Sequence, residues 1–137
     1  MSLGLFTWQS EVMIYDLDVQ GIVSNAHYLN YLHQARVKMF QTVAIDFSEW
    51  HHRGFDLVVV HTDIHYKVPL RAGDKFTVHS RGELQGRLRV VFRHEIYRDS
   101  DARLTTQAVS TIACLNTQTG KPCMPEELSK LFPKKPF

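Results

Sequence analysis

The segment Tyr15-Asp16-Leu17-Asp18-Val19-Gln20-Gly21-Ile22-Val23-Ser24-Asn25-Ala26-His27-Tyr28 carries the densest chemistry in the chain. It places a carboxylate-bearing turn directly before a stretch with strong helical periodicity. A helix start exposes unpaired backbone N–H groups and a partial positive charge. A carboxylate beside such a start makes half of a hydrolytic site: a base or nucleophile next to a pocket for a developing oxyanion. Asp18 is the candidate for either role, and the backbone N–H of Asn25 is the candidate oxyanion donor. Read without chemistry, Asp18 is an ordinary turn or cap carboxylate. Asp16, two positions away, points to the other side if the segment is extended, and is assigned to hydrogen bonding within the loop. Gly21 permits a tight backbone path.

The elements that must hold this segment can be read from periodicity. A helix is predicted over 26–40, with Tyr28, Leu32, Ala35 and Met39 at helical spacing and Leu29, Tyr31 and Phe40 widening the apolar stripe. Ser24 or the Asn25 side chain is expected to cap it. Strands are predicted over 5–14, 55–68, 75–83, 88–97 and 104–115, with turns at Gln85-Gly86 and Asp99-Ser100-Asp101. In the second strand, alternation puts Val58, Val60, Thr62, Ile64 and Tyr66 on one face and His61, Asp63, His65 and Lys67 on the other. A short helical stretch over 45–53 and a terminal helix starting at Pro125 complete the pattern. One long helix and about five strands, four in hairpin succession, give an α+β domain: a curved antiparallel sheet around a helix. Exposed strand edges point to association through the sheet.

Composition bounds the function. The chain of 137 residues suits a single domain over 1–137, and its net charge of +2 is spread out apart from Lys130, Lys134 and Lys135. It lacks the basic stripe that a nucleic acid demands. Two cysteines are too few for a disulfide framework, and Cys114 reads as a small core residue. No apolar run is long enough to span a bilayer. The expectation is a cytoplasmic protein with reduced thiols and no membrane insertion.

Three blocks of sequence resemble the hotdog-fold acyl-CoA thioesterases of the 4-hydroxybenzoyl-CoA thioesterase class. The first is Tyr15-Asp16-Leu17-Asp18 with Gly21-Ile22-Val23, then Asn25, Tyr28, Leu29, Tyr31 and Ala35-Arg36. The second is Val59-Val60, Ile64-His65-Tyr66, Pro69-Leu70-Arg71 and Gly73-Asp74. The third is Asn116, Thr119-Gly120-Lys121-Pro122 and Pro125. The resemblance runs from about Trp8 to Leu128. It implies a five-stranded antiparallel sheet wrapped around one long helix, assembled as a homodimer or homotetramer with active sites between subunits. It also implies that the second acid of the D-x-D-x-x-G block, Asp18, is the essential carboxylate. The Asn25 amide would then polarise the carbonyl. Related bacterial enzymes often carry His where this chain has Asn25. Plant-type acyl carrier protein thioesterases carry further Asn and His residues where this chain has Gln20 and Ile22.

The implied reaction is hydrolysis of an acyl-CoA to a carboxylic acid and free CoA, with CoA part of the substrate and no separate cofactor. Thiolate leaves readily, so a base or nucleophile, an oxyanion donor and a pocket suffice. Tyr28, Tyr31 and Gly21 are candidate substrate contacts, although aromatic residues at helical spacing also suit a core. Arg71, Arg87, Arg89 and Lys121 are candidates for the CoA phosphates, and Arg36 is expected in a structural ion pair. The eight histidines do not read as a metal site. His61 and His65 sit roughly 13 Å apart on a strand, too far for one ion. A non-hydrolytic acyl-thioester binding protein is the alternative on the same fold, with a dehydratase or hydratase third.

Overall fold

A computed structural model describes residues 3–134. Strand β1 (Phe6–Glu11) leads through a 3-10 turn (Ile14–Asp16) and an irregular loop into helix α1 (Asn25–Gln41). Helix α2 (Phe47–His52) follows, then β2 (Phe55–Tyr66), β3 (Lys75–Gln85), β4 (Arg89–Arg98), β5 (Arg103–Asn116), the short β6 (Pro122–Cys123) and α3 (Glu126–Ser129). The strands form one antiparallel sheet in the order β1-β3-β4-β5-β2, with β6 beside β5.

This order corrects one expectation. Only β3, β4 and β5 follow one another as hairpins; β2 leaves β3 and pairs with β5 at the far edge, while β1 takes the place beside β3. The connection after β2 crosses the end of the sheet instead of turning back on itself. Leu70, fully buried, pins that crossing: its N–H donates to the Tyr28 hydroxyl at 3.0 Å and its carbonyl accepts from Val23 N–H at 2.9 Å.

A second correction concerns the faces of β2. Its register against β5 shifts between Val59 and His61, which makes Val60 the extra residue of a bulge. A bulge reverses the alternation beyond it. Val59 and Thr62, an odd distance apart, therefore line the same cavity.

Helix α1 begins one residue before its predicted start and packs against the sheet. Tyr28, Tyr31, Leu32, Ala35, Arg36, Met39 and Phe40 are its buried residues. The expected stripe holds, except that Leu29 stays 45 % exposed and Arg36 goes inside. Two apolar clusters fill the interior. One joins Met39 and Phe40 to Trp50, Phe92, Cys114 and Phe132. The other joins Tyr28, Tyr31, Leu32 and Ala35 to Val12, Val23, Leu70, Phe76 and Ile96, and it anchors both ends of the loop that precedes α1.

Candidate active site

The loop from Val12 to Ser24 is folded by its own sequence. The 3-10 turn closes with Asp16 N–H on the Met13 carbonyl at 2.9 Å. Leu17 and Val23 then pair across a tight loop in which Asp18 N–H donates to Ile22 at 2.8 Å and Gly21 N–H donates to Asp18 at 3.1 Å. Gly21 closes that loop at φ +79°, a left-handed conformation that a side chain disfavours. Ile22 bridges to Arg71, so the crossing after β2 braces the loop from outside.

The two acids part company here. Asp16 is buried, 4 % exposed, and its carboxylate turns inward. One oxygen accepts from Met13 N–H at 2.9 Å and from the Tyr31 hydroxyl at 2.7 Å; the other meets His27 Nε2 at 2.7 Å. Asp18 is exposed and turns outward. One oxygen accepts the Gln20 N–H at 2.8 Å, an Asx turn, and the other has no partner among the described residues. Asp16 hydrogen-bonds within the loop through Met13 N–H, although it sits in a 3-10 turn and not in an extended run, and it also reaches Tyr31 and His27 on α1.

Asp18 and Asn25 wall one cleft of about 440 Å³, together with Ile22, Tyr28, Tyr66, Lys67 and Pro69. Helix α1 opens into it without a side-chain cap. Ser24 occupies the cap position and makes no capping hydrogen bond. The expected capping by Ser24 or Asn25 is thus absent, and the Asn25 and Ala26 N–H groups find no acceptor among the described residues. The Tyr66 hydroxyl donates to the Asn25 carbonyl at 2.9 Å and fixes the first residue of the helix against β2. The result is an open helix N-terminus beside a free carboxylate oxygen, in a cleft whose walls are mainly apolar. Such a pair can attack or activate water at a carbonyl carbon and stabilise the resulting oxyanion.

The remaining candidates divide by position. Tyr28 lines the cleft, although its hydroxyl is committed to Leu70 N–H. Tyr31 does not reach the cleft; it backs Asp16. Burial, and then Asp16, push the Tyr31 phenol far above its ordinary pKa, and burial raises that of Tyr28, so both stay neutral. Gly21 shapes the loop and is not part of the cleft wall. Of the four cations, only Arg71 lies beside the loop. Arg89 pairs with Ala113 and Tyr66 with Thr106, so Arg89 and the adjoining Arg87 sit roughly 24 Å along the sheet from the cleft end. Lys121 follows β5 at that same distant end. Lys67, which the sequence reading put on a strand face, is the cation in the cleft wall. The sequence signal that could have found it is Pro69, two residues on, which ends the predicted strand and also lines the cleft. Arg36 also departs from expectation: among the described residues it has no ion pair. Among the described residues, no three His, Cys, Asp or Glu side chains gather as a metal ion would require.

The fold is the hotdog fold of thioesterases. The profile of the thioesterase-like superfamily matches residues 12–132, and the chain belongs to that family. YneP of Bacillus subtilis, provisionally named an acyl-CoA thioesterase, is 28 % identical over 123 residues, covering 90 % of this chain and 86 % of that protein. The chloroplastic acyl-acyl carrier protein thioesterase ATL2 of Arabidopsis thaliana is 26 % identical over 129 residues, covering 94 % of this chain and 69 % of that one. The 1,4-dihydroxy-2-naphthoyl-CoA thioesterase Slr0204 from Synechocystis superposes with a TM-score of 0.87 at 23 % identity, covering 93 % of both chains.

Proposed function

We propose that the protein hydrolyses an acyl-CoA to a carboxylic acid and free CoA, with Asp18 and the Asn25 amide as its catalytic groups. The observation that carries this reading is their meeting in one cleft: a carboxylate with an unused oxygen, and a helix start with no cap. The thioester carbonyl oxygen points at the Asn25 N–H. Asp18 either takes a proton from water as that water attacks the carbonyl carbon, or attacks it directly to form a mixed anhydride that water then opens. In both routes the C–S bond breaks from a tetrahedral intermediate and CoA leaves as thiolate. Removing one oxyanion donor from such a site costs about 10²–10³ in turnover.

Lys67 in the wall and Arg71 beside the loop supply positive charge for the CoA phosphates. Homo-oligomerisation belongs to the same reading. The outer edge of β2 has no partner strand among the described residues, and Val59, Val60 and Tyr66 on that strand are 46–47 % exposed. A long apolar edge of this kind is normally covered. A cytoplasmic location accords with a CoA substrate, and no helix among the described residues is long and apolar enough to cross a membrane.

The test is thiol release against a panel of acyl-CoAs and acyl carrier protein thioesters, spanning short, medium and aromatic acyl groups. The reading expects turnover on at least one CoA ester and its loss in Asp18→Asn. Tight binding of CoA esters with no thiol released would favour the non-hydrolytic alternative.

A further inference from the structure

Cys114 and Cys123 are both free thiols, and their sulfurs lie 3.6 Å apart. The strand arrangement brings them together. Along one edge of β5, β2 pairs as far as Asn116; along the other, β4 stops opposite Ala113. β6 takes the next residues of that second edge, which makes Cys114 and Cys123 directly opposed partners of an antiparallel pair. Opposed residues in such a pair have Cα atoms about 4.5–5.5 Å apart, inside the range of about 4.4–6.8 Å that a disulfide spans. A bond of about 2.05 Å requires the sulfurs to close by about 1.5 Å, an adjustment of the side chains with the backbone left in place.

The two thiols differ in access. Cys114 is buried in an apolar cluster, and burial, then the hydrogen bond with Cys123, push its pKa up to about 12. Such a thiol is a poor first nucleophile. Cys123 is half-buried at the edge of the sheet and reaches solvent. Beyond it lies the segment that closes the core. β6 is two residues long, and after it Leu128, Leu131 and Phe132 pack beside Phe40 and Phe92. Leu3 N–H donates to the Leu131 carbonyl and Leu84 N–H to the Pro133 carbonyl, both at 2.7 Å, which ties the segment to the start of the chain and to β3. Each of these attachments is noncovalent.

We infer that Cys114 and Cys123 are a reversible thiol–disulfide pair, a modification site whose closure fastens the C-terminal segment to β5. The oxidant is a small disulfide of the glutathione type. The Cys123 thiolate attacks one sulfur of that disulfide, its S–S bond breaks and one thiolate leaves, giving a mixed disulfide on Cys123. Cys114 then gives up its proton and attacks Cys123 Sγ, and the second thiolate leaves. The two protein thiols lose two electrons in all, and one small disulfide becomes two thiols. Excess reduced thiol runs the sequence backwards, so the pair is open in a reducing pool and closes as that pool turns oxidising. The site is separate from the chemistry at Asp18. Cys114 and Thr106, which pairs with Tyr66 in the cleft wall, are about 26 Å apart along β5.

The test uses the folded wild-type chain, reduced and then incubated with excess glutathione disulfide. Intact mass should show the loss of two hydrogens, and peptide mapping should link Cys114 to Cys123. Closing the loop should raise Tm by about 5–10 °C, and dithiothreitol should return it to the reduced value. Tryptic cleavage after the exposed Lys130 should slow in the oxidised form. Cys123→Ser and Cys114→Ala, each compared with its own reduced state, should show neither change, and either variant serves should the other not fold. A lasting glutathione adduct on Cys123 with no internal link would overturn the proposal, as would a disulfide formed between two chains. So would an internal link that leaves Tm and the cleavage rate as they were.

Discussion

Asp16 and Asp18 lie two residues apart and should fail in opposite ways. Asp18 is exposed and makes one side-chain hydrogen bond, accepting from Gln20 N–H at 2.8 Å. The amide oxygen of Asn can accept the same bond, so Asp18→Asn should change stability by no more than about 0.5 kcal/mol. Turnover should fall by about 10²–10⁴ if Asp18 is a general base, and further if it is the nucleophile. Asp16→Ala strips partners from the Tyr31 hydroxyl, Met13 N–H and His27 in a buried setting. Hydrogen bonds to a charged group are worth about 1.5–3 kcal/mol each, but they share one side chain and do not add; breaking such a buried group typically costs about 3–5 kcal/mol. For a domain of this size that lowers Tm by about 10–20 °C. Thermal unfolding of both variants, with thiol release measured well below the lower Tm, separates the two roles. Full turnover in folded Asp18→Asn would end the catalytic assignment. Asp16→Ala that keeps the wild-type Tm yet loses turnover would move the catalytic role to Asp16.

Three further outcomes follow from the packing and charge. His94 has a folded pKa pushed down to about 3, below its ordinary value, so the unfolded chain binds the proton first. Its contribution is complete above about pH 6.5 and is lost as pH falls toward 3, at up to about 1.4 kcal/mol per pH unit; urea midpoints from pH 7 to 4 should fall more steeply in wild type than in His94→Asn. Gly82 faces Phe132, and a Cβ there would come within 2.6–2.7 Å of two ring carbons and 3.0 Å of Phe92; Gly82→Ala should cost about 1–3 kcal/mol, read as a lowered Tm. Lys67→Ala should raise KM for a CoA ester by about five-fold at low salt, the energy of an exposed charge contact, with the gap closing as salt is added; a salt-independent change would mean that Lys67 acts through packing.

Much of the architecture was legible along the chain because it is local. The apolar spacing of Tyr28, Leu32, Ala35 and Met39 determined α1 to within a residue of its start. Turn chemistry at Gln85-Gly86 and Asp99-Ser100-Asp101 determined the β3-β4-β5 hairpins. The same local rules placed Asp18 in a turn before a helix, with Gly21 at the position that needs positive φ.

What the chain did not disclose depends on contacts between distant segments. Strand order is one case: periodicity says which face of β2 is apolar and nothing about which neighbour it pairs with. The bulge at Val60 is another, because one extra residue opposite β5 reverses the face of every side chain beyond it. Arg36 reads as half of an ion pair whose partner the sequence does not name; a neutral His94 and Ser110, brought up by β4 and β5, are what it meets, and a buried Asp16 is what His27 meets. Sequence by itself determined the helix, the hairpins and an acid-bearing turn before the helix, through steric and hydrophobic preferences that act over a few residues. Only the tertiary structure left the start of α1 uncapped beside that acid and set the Arg36 guanidinium inside the fold against His94 and Ser110, because both require segments distant in the chain to close on the same space.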